Sequence, residues 1–355
     1  MDVLSDVIAV MRSGRPRSAS VRWHAPWAQR FATVPGSAGF QVVLEGTCAL
    51  RSPSAGDLEL AAGDVVFLPH GTGHLLADCR ASGDAYRETA VEDCAPTPSA
   101  SPYVSDRVDP TGQGGPVTEL LCGTYQLDPS RTHPLLHGLP DLIHLPAARP
   151  GRPPELAAAV ELLAAELRRP GLGTDAAVPA LLDALLLYIL RIWFAEQAAQ
   201  AGPGASGWAA ALGDPVVTAA LHAMHRSPGA PWTVERLAAE AGLSRAPFAR
   251  RFAALVGRPP LAYLTWWRMT LAERLLRTTD APLRTVAEQV GYGTEFAFSA
   301  AFKRVHGSAP GGYRRAVRRS GGQVVPAAAQ ADPRPLRPIP DHSGRPQADP
   351  RPIPG

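Results

Sequence analysis

The sequence predicts an α+β protein: an N-terminal β jelly roll, a helical linker, and an all-α C-terminal module built from two helix-turn-helix units. Three observations carry this. Short strand-like runs crowd between Phe40 and Leu76, the apolar pattern turns helical at Pro154, and two similar helical stretches recur between Val234 and Arg304.

The β region comes first. Phe40 to Leu44, Cys48 to Leu50, Leu58 to Leu60 and Val65 to Leu68 are apolar runs set between Gly, Ser, Pro and Asp turns. Many short strands so punctuated indicate an antiparallel sandwich or jelly roll. Residues 95–116 are rich in Pro, Ser and Gly and read as a loop, with strands resuming at Thr118 to Tyr125 and Leu142 to Leu145. The amphipathic N-terminus has mixed charge and does not read as a secretory leader.

Glu155 to Arg169 is apolar at helical spacing and ends at Pro170-Gly171. Asp175 to Gln200 reads as a long helix, apolar on more than one face, which calls for a core or a second subunit. Its apolar run from Ala180 to Phe194 is interrupted by Asp183 and reads as buried helix, too short to span a bilayer. Residues 202–207 form a break. From Ser320 the chain is Pro-rich, repeats Ala-Asp-Pro-Arg-Pro at Ala331 and Ala348, and carries too little apolar surface to fold. The expected organisation is a β domain over 1–150, a linker and candidate dimerisation segment over 151–207, a double helix-turn-helix domain over 208–319, and a disordered tail over 320–355.

Charge separates along the chain. The whole carries +3, but residues 232–319 hold 15 Lys and Arg against 6 Asp and Glu, whereas residues 1–231 hold 16 against 23. A basic module on an acidic one points to a polyanion as partner of the basic part. Cys48, Cys79, Cys94 and Cys122 lack zinc-type spacing, so no metal or other cofactor is expected.

Within the basic module, Ala238 precedes Gly242 by four residues, and Ala287 precedes Gly291 likewise. The small Ala lets two helices approach, and Gly supplies the positive φ of the turn. Ser244 and Thr294 fall at helix N-caps, and Phe248/Phe252 and Phe298/Phe302 are i, i+4 pairs suited to anchoring each second helix. Leu261 to Arg277 forms the joining helix, roughly 25 Å long. Such a spacer suits two recognition helices about one DNA turn, ~34 Å, apart.

At these residues, with Gly291-Tyr292, Phe298-Ser-Ala-Ala-Phe302-Lys303-Arg304, Gly307, Pro310 and Tyr313-Arg314, the sequence resembles the AraC/XylS family. The resemblance implies a bacterial, cytoplasmic transcription regulator that binds double-stranded DNA, with RNA polymerase as a further partner, and no enzyme. It implies base-facing positions at Arg245, Ala246, Ala249 and Arg250 in the first unit, and at Glu295, Phe296, Ser299 and Ala300 in the second. Lys303, Arg304, Arg314 and Arg315 are expected at phosphates or in solvent.

Gly63, Pro69, Gly71 and His74 fit the second motif of cupins, and the β domain resembles the cupin-like sensory domains of the same regulators. That resemblance implies a small-molecule or redox effector, with His74, Cys79, Cys94 and Cys122 as candidate residues. The His-x-His plus Glu of metal-binding cupins is not found in the sequence, so His70 and His74 read as barrel or rim residues. Two rival readings are a cupin metalloenzyme fused to a DNA-binding domain and an architectural DNA-binding protein without effector. A homodimer through the 175–200 helix is expected.

Overall fold

The computed structural model describes residues 2–11, 16–54, 56–78, 91–94, 103–107, 115–127, 133–149, 151–200, 202 and 206–319. Cys79 and the Pro-rich tail lie outside them, as does the side chain of Cys94.

The chain opens with helix α1 (Val3–Met11) and strands β1 (Arg17–His24), β2 (Ala28–Phe31), β3 (Ser37–Glu45), β4 (Thr47–Ser52) and β5 (Gly56–Ala61). There follow β6 (Val65–Leu68), β7 (His74–Ala77), β8 (Val91–Cys94), β9 (Tyr103–Arg107) and β10 (Val117–Gln126). A short helix α2 (Pro134–His137) and strand β11 (Ile143–Leu145) complete the β domain.

Two sheets form, in the orders β11-β6-β3-β10-β1-β9 and β5-β4-β7-β2-β8. Most pairings are antiparallel, but β9 runs parallel to β1, and β8 parallel to β2. The segment expected as one loop over 95–116 therefore contains a strand. Its partner β1 lies some eighty residues away in sequence, so the pairing is long-range.

Side-chain alternation divides β3 between two cores. Val43 joins Trp23, Cys48, Leu50, Leu60, Val66 and Leu76 between the sheets. Phe40 and Val42 face the opposite way and meet helices. The central strands are covered on both faces, which is why β6 reads Val-Val-Phe-Leu without alternation and is buried throughout. The helices on the outer face are α3 (Pro154–Arg168) and α4 (Thr174–Gln200) together with α1 and α2. Arg168 of α3 bonds the buried Glu119 of β10 at 2.9 Å, and Tyr125 of β10 donates to the Leu182 carbonyl of α4.

Helix α4 is longer than its apolar run, and by length and composition it could cross a bilayer. Nine of its residues are buried, and Leu181, Leu187, Tyr188 and Trp193 pack partly against the same core. The surplus of apolar residues is thus largely taken up within the chain.

The remaining elements are α5 (Trp208–Gly213), α6 (Pro215–Arg226), α7 (Val234–Glu240), α8 (Arg245–Val256), α9 (Pro260–Thr278), α10 (Leu283–Gln289), α11 (Glu295–His306) and α12 (Pro310–Arg319). One apolar cluster runs without a break from Val3 through the β domain and α4 to Phe248, Phe252 and Trp267. A separate cluster, from Met269 to Phe302, belongs to the last helices. The first helix-turn-helix unit shares a core with the β domain, and the second has its own.

Candidate nucleic-acid interface

Each unit is a helix pair closed by a glycine turn. Gly242 and Gly291 have φ of +68° and +79°, the left-handed region that favours glycine. Ala238 and Ala287 are buried at the helix contacts, and all four phenylalanines of the i, i+4 pairs are fully buried. The caps differ from expectation at one place. Thr294 accepts a hydrogen bond from the Ala297 amide at 3.1 Å, as expected. Ser244 occupies the N-cap of α8 but makes no capping bond through its side chain. A cap not foreseen, Thr233, accepts from Arg236 N at the start of α7.

With their phenylalanines inside, α8 and α11 turn their other faces outward. Arg245, Ala246 and Arg250 are exposed, and Ala249 is half-buried. Glu295, Phe296, Ala300, Lys303 and Arg304 are exposed, and Ser299 is half-buried. Phe296 is 85% exposed, far outside the range of a core aromatic. The base-facing residues expected from sequence therefore lie together on the outward face of each second helix.

Not every arginine nearby belongs to that face. Arg245 is exposed but pairs with Glu235 at 2.8 Å through Nε. Arg251 bonds Asp214, the residue that caps α6, at 2.7 Å. Arg314, expected at a phosphate or in solvent, is half-buried and donates to the Ala281 carbonyl, tying α12 to the turn before α10. That differs from the expectation: one terminal nitrogen of its guanidinium closes the second unit.

The joining helix α9 spans 19 residues, ~28 Å at an α-helical rise. It also carries a clamp that sequence inspection missed. Arg268 donates to the carbonyls of Pro228 and Ala230, both at 2.7 Å, in the loop that precedes the first unit. The same guanidinium lies against Gly291, where an added Cβ would stand 2.6 Å from it and 2.8 Å from the Gly229 oxygen. Burial pushes the Arg268 pKa down, opposed by Tyr292. One side chain thus joins the entry of the first unit to the turn of the second.

A second repeat also went unread. Gly257-Arg-Pro-Pro260-Leu-Ala-Tyr263 follows α8 as Gly307-Ser-Ala-Pro310-Gly-Gly-Tyr313 follows α11. The spacing Gly-x-x-Pro-x-x-Tyr is the signal that reveals it. Tyr313 donates to Glu273 of α9, within its own unit.

In the β domain, His74 is buried and stacked on Phe31 at 4.6 Å. Its Nδ1 lies 3.2 Å from the Thr72 carbonyl and must donate to it. Nε2 then accepts from Gln41 Nε2 at 3.2 Å. Burial lowers the His74 pKa, consistent with a neutral ring. Gln41 is 4% exposed, and its carbonyl oxygen finds no partner among the described residues. Cys122 is opposite Gln41 in the β10–β3 register and is partly buried against the inner core. His70 bonds the Leu139 carbonyl at 2.9 Å on the rim. Among the described residues no group of three His, Cys, Asp or Glu is placed to hold a metal ion.

The fold and surface define a class: a cupin-type β domain carrying two outward-facing helix-turn-helix readers on a basic module. Residues 2–195 match the family described as Cupin, and residues 237–316 the Helix-turn-helix domain. A putative AraC-like transcription regulator of Streptomyces antibioticus is 35% identical over 89% of this chain and 99% of its own length. One of Streptomyces lividans is 36% identical over 89% and 98%. The chain belongs to the AraC-like family of transcription regulators. The solved DNA-binding domain of AdpA, in complex with a target DNA, is 37% identical over 31% of this chain and 99% of that one, with a TM-score of 0.30.

Proposed function

We propose that the protein is a one-component regulator, cytoplasmic and without enzymatic activity, which senses an effector in its cupin domain and reads a promoter through α8 and α11. The observation that carries the DNA-reading part is the pairing of two outward recognition faces, at Arg245 to Arg250 and Glu295 to Arg304, on one basic module. Arg250 offers a fork for guanine O6 and N7, and Phe296 an apolar face for a thymine methyl. Lys303 and Arg304 supply phosphate anchoring. RNA polymerase is the further partner at the promoter, and a second copy of the chain is a candidate partner through the α3–α4 face, where Leu162 is exposed.

The effector site we assign lies between the sheets beside Gln41 and His74. The unsatisfied Gln41 carbonyl favours a ligand that donates a hydrogen bond, since a buried acceptor left alone costs about 1–3 kcal/mol. Cys122 is close enough in register to make a thiol-reactive oxidant the other input.

The experiment is to map the DNA bound by the protein in cells and follow transcription from those promoters when the gene is deleted. Binding at promoters whose output changes is expected. Genome-wide binding with no change in output would replace this reading by an architectural role.

A further inference from the structure

The two repeats place a tyrosine at the same position, and that of the first, Tyr263, reaches the β domain. The Tyr263 hydroxyl of α9 lies 3.2 Å from His133 Nε2 and 2.7 Å from His225 Nε2. His133 belongs to the β domain, where it caps α2: its Nδ1 accepts from the Leu135 amide at 2.9 Å. That bond fixes the tautomer. Nε2 carries the proton and donates to Tyr263, so the tyrosine must donate onward to His225 Nε2. His225 of α6 then carries its proton on Nδ1, which donates to Asp6 of α1 at 3.3 Å.

The result is a one-way hydrogen-bond chain from α2 through α9 and α6 to α1. His133 and Tyr263 are 0% exposed, and His225 is buried. The His133 ring sits edge-on to Trp208 and Trp266, at 4.8 and 4.9 Å. A residue of the β domain is therefore plugged into an aromatic box built by α5 and by the joining helix α9, against which α8 packs. Burial first, and then the like-charge repulsion that a protonated ring would meet from His225, Arg258 and His137, hold the His133 ring well below its usual pKa, consistent with a neutral ring.

At its other end α2 reaches the rim of the cupin barrel. Leu139, just past α2, accepts from His70 in the turn 69–73. That turn also holds Thr72, whose carbonyl orients His74 next to Gln41. Gly71 is wedged there, and a Cβ would stand 2.2 Å from the Val34 oxygen. The path from the Gln41–His74 pair to α9 is thus the turn 69–73, the four-residue helix α2 and the hydrogen bonds His74–Thr72, His70–Leu139 and His133–Tyr263.

We propose that His133 and Tyr263 are positioning residues that seat the first reading unit on the cupin domain and couple DNA engagement to the barrel rim. The outward face of α8 stays exposed in this arrangement, so the contact orients the reader without covering it. The proposal rests on the DNA-reading role of α8, and it locates the element through which an effector beside Gln41 would be felt there. Coupling is reciprocal, so DNA itself can serve as the probe.

The test uses the full chain and a duplex selected from random sequence by its affinity for that chain. Hydrogen exchange is followed at residues 69–77 and 133–145 with and without duplex. In the wild type, DNA should change exchange at these segments by about fivefold or more, the scale of typical coupling energies. Tyr263→Phe keeps the ring and loses the hydroxyl. His133→Asn keeps a capping oxygen for Leu135 and loses the reach to Tyr263. Both variants should bind the duplex within about threefold of wild type, and in both the exchange response should vanish. A destabilised Tyr263→Phe would leave His133→Asn to decide, since that change stays outside the reading unit. A wild type that binds DNA with no response at the rim, or variants that respond in full, would overturn the coupling. Failure of the wild type to retain any duplex would instead overturn the DNA-reading role beneath it.

Discussion

Tyr263 and Tyr313 stand at the same position of two repeats, yet Tyr263 bonds across to His133 of the cupin domain whereas Tyr313 bonds Glu273 within its own unit. The cores divide in the same way. Tyr263, Phe248 and Phe252 belong to the cluster shared with the cupin domain, while Phe298 and Phe302 belong to the separate one.

This division predicts two unfolding transitions that mutations can separate. Phe302→Ala should cost about 3–5 kcal/mol, all of it in the second unit. All seven tryptophans lie in or against the other two cores. Tryptophan fluorescence should therefore melt as in the wild type while circular dichroism shows an earlier partial loss of helix. Phe252→Ala should move both signals together. A single shared transition in Phe302→Ala would show that the second unit is not an independent body.

The helix-turn-helix units were legible in the sequence because their signals are local. A small residue, a turn glycine, a cap and a phenylalanine pair each act within a few residues. Much of the cupin domain was not. β1 reads Arg-Ser-Ala-Ser-Val-Arg-Trp-His, which shows little apolar alternation, and β2 and β7 have only four residues each. β9 pairs with β1, some eighty residues away in sequence. The site divided likewise. The outward positions on α8 and α11 followed from the resemblance to the AraC/XylS family, whereas the His133–Tyr263 and Arg268–Pro228 contacts join residues 130 and 40 apart.

Arg268 should govern how well the two readers act together. Arg268→Met keeps the stem and removes both hydrogen bonds to the loop at Pro228 and Ala230. Charged hydrogen bonds are worth about 1.5–3 kcal/mol, so affinity for a duplex engaging both units should fall about tenfold or more. Affinity for a duplex that engages only the first unit should stay unchanged. Equal losses on the two duplexes, measured by titration, would mean that Arg268 acts on stability alone.

The buried histidines set a pH dependence. His133 and His225 both have pKa values below the ordinary 6.5, from burial first; His225, Arg258 and His137 lower His133 further, whereas for His225 the bond to Asp6 opposes the shift, His222 adds to it and Asp2 opposes it. Tyr263, between the two rings, stays protonated. Above pH 6.5 both imidazoles are neutral folded and unfolded, and no stability is lost. Below it the unfolded chain takes up protons that the folded chain refuses, so stability must fall as pH drops. Denaturant midpoints at about pH 7.5 and 5.5 should show this fall, and His133→Asn should reduce it. A flat profile would contradict the neutral hydrogen-bond chain.

The asymmetry of the two recognition faces gives the most direct test of promoter reading. The first face offers Arg245 and Arg250, and the second offers Phe296, Ser299 and Ala300 with Lys303 and Arg304 behind them. Base discrimination should come mainly from the first. The measurement is binding of Arg250→Ala and Arg304→Ala to a selected duplex and to its scrambled form across a salt series. Arg250→Ala should cost about 1–3 kcal/mol on the selected duplex and little on the scrambled one. Arg304→Ala should weaken both alike and reduce the salt slope by about one. If Arg250→Ala weakens both duplexes equally, or Ser299→Ala alone abolishes the preference, the first unit does not read the promoter as assigned.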